Sequence, residues 1–134
     1  MSTAEASRAN AGTAPARRSR AREFRDLLAG LAQFDGVQGG LLVTPDGLVI
    51  TSALPADANV DALAALGATL GRQLERGAEP PGAGGFTTAV FAADDGTLLI
   101  GGSRIGYVVL LGGPRIDAEA LRAALGDAVA RLSS

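Results

Sequence analysis

Tyr107-Val108-Val109-Leu110-Leu111 is apolar at every position. A strand with one wet face alternates apolar and polar residues, so a run without alternation is buried on both faces. This segment therefore predicts a mid-sheet strand with helices above and below it. Leu98-Leu99-Ile100 reads the same way. Ala93-Asp94-Asp95-Gly96 and Arg104-Ile105-Gly106 are turn sequences on either side of that second run. Three strands follow, Phe86–Ala92, Thr97–Ser103 and Tyr107–Leu111. Strands joined by short turns pair antiparallel.

The first half of the chain adds two helices and a hairpin. Phe24, Leu27, Leu28, Leu31 and Phe34 recur at helical spacing, and Asp35-Gly36 stops that helix. Strands are expected at Gln38–Thr44 and Leu48–Ser52. Thr44-Pro45-Asp46-Gly47 joins them, with Pro45 presetting φ and Gly47 free to take φ > 0. Pro55 breaks the chain, and Asn59 is a candidate N-cap for a helix from Val60 to Arg76. Gly77 closes it. Residues 77–85 lack periodicity and read as a flexible loop. A last helix runs from about Asp117 to Leu132, with Leu121, Leu125 and Val129 on its apolar side. The expected class is α/β (α+β), a three-layer α/β/α domain with a five-stranded antiparallel sheet. Its element order is α-β-β-α-β-β-β-α.

Residues 1–20 read as a disordered basic tail, and 21–134 as the single domain. Five arginines precede Glu23, against Glu5 alone. That is a net +4 in a chain of net −2, which leaves −6 for the remainder. An acidic body is a poor nucleic-acid binder, so no nucleic-acid partner is expected. The tail has no apolar signal region, and no stretch is long enough to span a bilayer. A cytoplasmic protein with no membrane partner is the expectation.

Chemistry is limited by the side chains on hand. The chain has no cysteine, no histidine and no lysine; all 12 basic residues are arginine. Thiolate or imidazole zinc sites, Ser-His triads, Schiff bases and a Walker A lysine are all excluded. Asp94 and Asp95 could in principle hold magnesium, but aspartate is common in turns for conformational reasons. Gly101-Gly102-Ser103-Arg104-Ile105-Gly106 does not fit a dinucleotide fingerprint, and it precedes a strand instead of a helix. No catalytic residue, metal site or cofactor is expected, and the protein is read as a non-enzyme.

The helix, the hairpin Gly36-Val37-Gln38-Gly39 to Val43-Thr44-Pro45-Asp46-Gly47 and the following helix together resemble the Roadblock/dynein-light-chain family. The resemblance covers about Glu23 to Leu132. It implies a dimeric protein that binds other proteins, bacterial members being associated with small Ras-like GTPases. It implies dimerisation through the second helix and the strand beginning at Phe86, which would lie at a sheet edge. It also implies action as a scaffold that repositions the GTPase's own residues.

The second helix carries two stripes. Leu63, Leu66, Leu70 and Leu74 are expected on the sheet. Val60, Ala64, Gly67 and Gly71 form an adjoining small-residue stripe with G-x-x-x-G spacing. Glycine in a helix costs about 1 kcal/mol against alanine, so two on one stripe need a reason. Either a second copy approaches there or the stripe packs on the protein's own sheet; the first is preferred. With Phe86, Thr88 and Val90 of the uncharged strand, these residues make the expected dimer interface. Asp61, Arg72 and Arg76 on the helix's polar face are candidate GTPase contacts by position in the family. The alternatives are a structural adaptor in a motor or signalling complex, and a small-ligand sensor domain.

Overall fold

The computed structural model describes residues 20–77 and 87–133. Helix α1 covers residues 20–32. It is followed by β1 (Val37–Val43), β2 (Val49–Ala53), α2 (Val60–Gly77), β3 (Thr88–Ala93), β4 (Gly96–Gly102), β5 (Tyr107–Gly112) and α3 (Ala118–Ser133). This is the expected order. Most of the expected tail, and Phe86 of the expected interface, lie outside the described residues.

All five strands form one antiparallel sheet in the order β2-β1-β5-β4-β3. The unalternated strand β5 is central, between β1 and β4, and Tyr107, Val109 and Leu110 are at most 1% exposed. Its odd and even residues serve two separate cores. Leu28 and Leu31 of α1 and Leu121, Leu125 and Val129 of α3 enclose Leu42, Leu99, Val108 and Leu110. On the other face Ala64 of α2 closes over Leu41, Val43, Ile100, Tyr107 and Val109.

Local signals set the boundaries. Gly47 takes φ of 92° and turns the β1–β2 hairpin. Gly36, at φ 87°, lies four residues past the end of α1, in a turn closed by the Val37 amide donating to the Phe34 carbonyl at 3.1 Å. It therefore leads into β1 and does not cap the helix. The Asn59 Oδ1 accepts from the Ala62 amide at 3.0 Å, and the Asp117 Oδ1 accepts from the Ala120 amide at 3.1 Å. Both are N-caps of the helices that follow.

One expectation is corrected. The small stripe of α2 does not face outward. Ala64, Gly67, Ala68 and Gly71 are the buried residues of this helix. A Cβ on Gly67 would lie 2.6 Å from Val109 Cγ2, and one on Gly71 would lie 2.5 Å from the Tyr107 ring. The glycines seat the helix directly on β5, because a branched strand residue and an aromatic ring stand beneath them. The leucines are displaced to one flank: Leu63, Leu70 and Leu74 only border this core, and Leu66 remains 45% exposed. Ala64, Gly67 and Gly71 therefore belong to the protein's own core, and not to a surface a second copy could meet. Val60 is half-buried at the helix start.

Candidate functional surface

Two flanks of α2 have different characters. Tyr107 lies under Gly71, and its hydroxyl donates to Glu75 Oε2 at 2.8 Å. Arg72 donates to the Pro45 carbonyl in the β1–β2 turn. This flank is thus tied down by two polar bonds, one to β5 and one to the hairpin. Burial first, then the hydrogen bond and negative charge of Glu75, push the Tyr107 hydroxyl up to about 12; the Arg72 charge opposes them. Of the expected contacts, Arg72 is already engaged with the protein's own backbone, while Asp61 and Arg76 are exposed on the outer surface.

The opposite flank is apolar. Residues 63, 66 and 70 fall within about one-sixth of a turn of one another, away from Arg72 and Glu75. Leu63 and Leu70 border the same core as Leu98. Phe91 pairs with Leu98, and Leu98 with Leu111, so all three share the α2 face of the sheet. Phe91 is 41% exposed. An apolar ledge therefore runs from Leu66 towards Phe91 at the β3 margin. Val90 points to the other face, and Thr88 is half-buried. Charge and proline are absent from β3, and its outer side pairs with no described strand. The edge position of the strand matches the expectation; Leu66 and the Tyr107–Glu75 bond were not anticipated. A leucine that falls off the buried arc is visible on a helical wheel only once the seat of the helix is known.

Enclosed space is small. The hollow among Phe24, Leu28, Leu42, Val108 and Leu132 holds about 10 Å³, at most one water. Larger hollows of about 390 and 400 Å³ are open surface grooves, one beside Arg22 and Arg131 and one beside Gln38, Phe91 and Leu111. Among the described residues no group of acidic side chains is gathered as a metal site. No described helix is long and apolar enough to cross a membrane.

No family model and no curated protein matches the sequence. Solved structures do. A Roadblock/LC7 domain from Streptomyces avermitilis is similar with a TM-score of 0.69 and 22% identity, over 79% of this chain and 91% of that one. MglB from Myxococcus xanthus is similar with a TM-score of 0.75 and 17% identity, over 84% and 86%. The gliding protein MglB from Thermus thermophilus gives 0.69 and 18%, over 84% and 89%. A five-stranded sheet between one helix and two, traced in this order and similar to these structures over most of its length, is the Roadblock/LC7 fold.

Proposed function

We propose that this protein is a homodimeric regulator or scaffold that binds a small Ras-like GTPase and modulates its hydrolysis of GTP. The observation that carries the reading is the fold shared with MglB structures, joined to an exposed apolar ledge at an unpaired sheet edge. The residue inventory agrees, since histidine, cysteine and lysine are lacking and the GTPase would supply the reacting groups. Two copies join through β3, with Thr88 and Val90 in the paired strand and Leu66 and Phe91 on the ledge beside it. Such pairing covers an edge that would otherwise invite aggregation. Asp61 and Arg76 then remain on the outer face of α2 for the GTPase, and Arg72 holds the β1–β2 turn in place.

The test is capture of a purified Ras-like GTPase on the immobilised protein, loaded in turn with GDP and a non-hydrolysable GTP analogue. Retention in one nucleotide state, weakened by Arg76→Ala, is the expected result. Equal, non-saturating retention in both states would leave the adaptor reading standing instead.

A further inference from the structure

One end of the sandwich is a basic pole. Val43 pairs with Tyr107 and Tyr107 with Gly102, so the β1–β2 turn, the 103–106 turn and the start of β5 share that end. Gly71 lies over Tyr107 and Arg72 donates to the Pro45 carbonyl, which places the end of α2 there. Phe24 and Leu132 share a hollow with Leu42 and Val108, which adds the start of α1 and the end of α3. Arg20, Arg22, Arg72, Arg76, Arg104 and Arg131 stand at this pole, all exposed. Glu23, Asp46 and Glu75 are the acids among them, which leaves a net +3. In the sequence Arg8, Arg17 and Arg18, against Glu5, lead into Arg20. The whole chain is net −2, so the charge away from this end is strongly negative.

An apolar tip projects from the same end. Leu48 is 69% exposed, and Val49 and Ile50 beside it are 38% exposed each. Leu48 is held outward by its own turn. Its amide donates to the Thr44 hydroxyl at 3.1 Å, and its carbonyl accepts from the Thr44 amide at 2.9 Å. Arg72 braces this turn from α2 through Pro45. β2 is the outermost strand on its side of the sheet, and β3 is at the opposite margin. Self-association through β3 covers Leu66, Val90 and Phe91, and leaves Leu48, Val49 and Ile50 in water.

We infer that this pole is a membrane-contact surface, which seats on anionic lipid headgroups with Leu48 entering the interface and the arginines around it meeting the headgroup anions. An aliphatic side chain gains by leaving water for the acyl boundary, and arginine is drawn to an anionic leaflet. Both attractions act here at one end of the molecule. The acidic remainder is repelled by the same leaflet, which orients the protein upon it. Shape and composition favour a bilayer over other anionic partners. The arginines come from three helices and a turn and are spread across the whole end, and the tip is convex. A fluid interface closes around such a tip, whereas a folded acidic protein would need a hollow made for it. Nucleic acid rewards aromatic stacking, and the aromatic side chains described at this end, Phe24 and Tyr107, are half-buried and buried. The expectation of no membrane partner rests on the lack of a spanning segment, and a surface contact does not need one.

The test mixes the full chain with vesicles of phosphatidylcholine, either alone or with about 30% phosphatidylserine, and reads the fraction that sediments with them. Binding is expected to the anionic vesicles only, falling on the order of tenfold as salt rises from about 50 to about 500 mM. Leu48→Gln removes the apolar tip without adding charge, and should weaken binding at least about fivefold. Arg20→Gln/Arg22→Gln should weaken it about tenfold or more. Unfolding curves check that each variant is folded. The chain has no tryptophan, so Leu48→Trp carries a single reporter at the tip. Its emission should shift to the blue on anionic vesicles and stay unchanged with neutral ones. Binding to neither vesicle, equal binding to both, or a tip whose emission does not move would overturn the inference. So would capture of a DNA duplex or of polyglutamate that weakens equally with Leu48→Gln, since an acidic polymer would then take the place of the bilayer.

Discussion

Gly71→Ala separates a helix notched for its own sheet from one notched for another molecule. The added methyl carbon would sit 2.5 to 2.6 Å from three atoms of the Tyr107 ring. Real Cβ contacts do not occur at that range, so either the ring or the helix must move. The ring is 0% exposed, and its hydroxyl is held by Glu75, so the helix is displaced. Overpacking of this kind costs about 1–3 kcal/mol, and the tethered ring argues for the upper end. Alanine returns about 1 kcal/mol of helix propensity. The expected net loss is about 2 kcal/mol, or roughly 8 °C in Tm for a domain of this size. Calorimetry and urea unfolding over a hundredfold range of protein concentration give the reading. The loss should persist at concentrations where the wild type is fully dimeric. A variant that is equally stable or more stable would show that nothing stands within reach of that position, and would return the glycine stripe to the surface.

The protein's single tyrosine, in the absence of tryptophan, makes Tyr107 visible by ultraviolet absorbance. Its phenolate should appear with a midpoint near 12 in the folded protein and near 10 in denaturant. Since the folded value is the higher, this group's contribution to stability is full below about pH 10 and fades as pH rises towards 12. Tyr107→Phe should abolish that decline, and a titration midpoint near 10 in the native protein would refute the burial. Leu125→Ala, at a side chain 0% exposed beneath α3, should cost about 2–5 kcal/mol in chemical unfolding. Asn59→Ala should cost about 1 kcal/mol by removing the α2 cap, with Asn59→Asp restoring it. Leu66→Glu should leave unfolding at low concentration nearly unchanged yet lower dimer affinity in sedimentation. A reversed outcome, with stability lost and association kept, would place Leu66 inside the monomer.

Sequence patterns carried the fold far because they are local or repeat along an element. The unbroken apolar run at Tyr107–Leu111 implied a strand at the centre of the sheet, and the structure puts β5 there. Asn59, Asp117 and Gly47 act through their own backbone neighbours, so their roles are readable without knowing the tertiary fold. The rotation of α2 about its axis is different in kind. Leucines and glycines occupy adjoining arcs of that helix, and hydrophobicity alone assigns the leucines to the core. The choice is made by what lies beneath: Val109 and Tyr107 project far enough that only a residue without a side chain lets the backbone settle. Nothing within residues 60–77 contains that information.

The same reasoning explains why the surface was harder to read than the core. Arg104 and Asp94 are ten residues apart in sequence, at opposite ends of one strand, and each alone is an ordinary turn residue. Where they stand relative to the bare margin is known only once strand order shows which edge is bare and which turns flank it. Net charge hides such an arrangement, because it counts charges without their positions. The seat of α2 and the polarity of the sheet margins have a common origin. The five strands align every turn at one end or the other, and a helix fixed by glycines over β5 adds its arginine-bearing end to the same pole. Close packing in the interior thus fixes where the exposed charges stand. Moving α2 off Tyr107 should therefore weaken capture of the GTPase as well as stability, because Arg76 stands on the end of α2 that Gly71 seats over that ring.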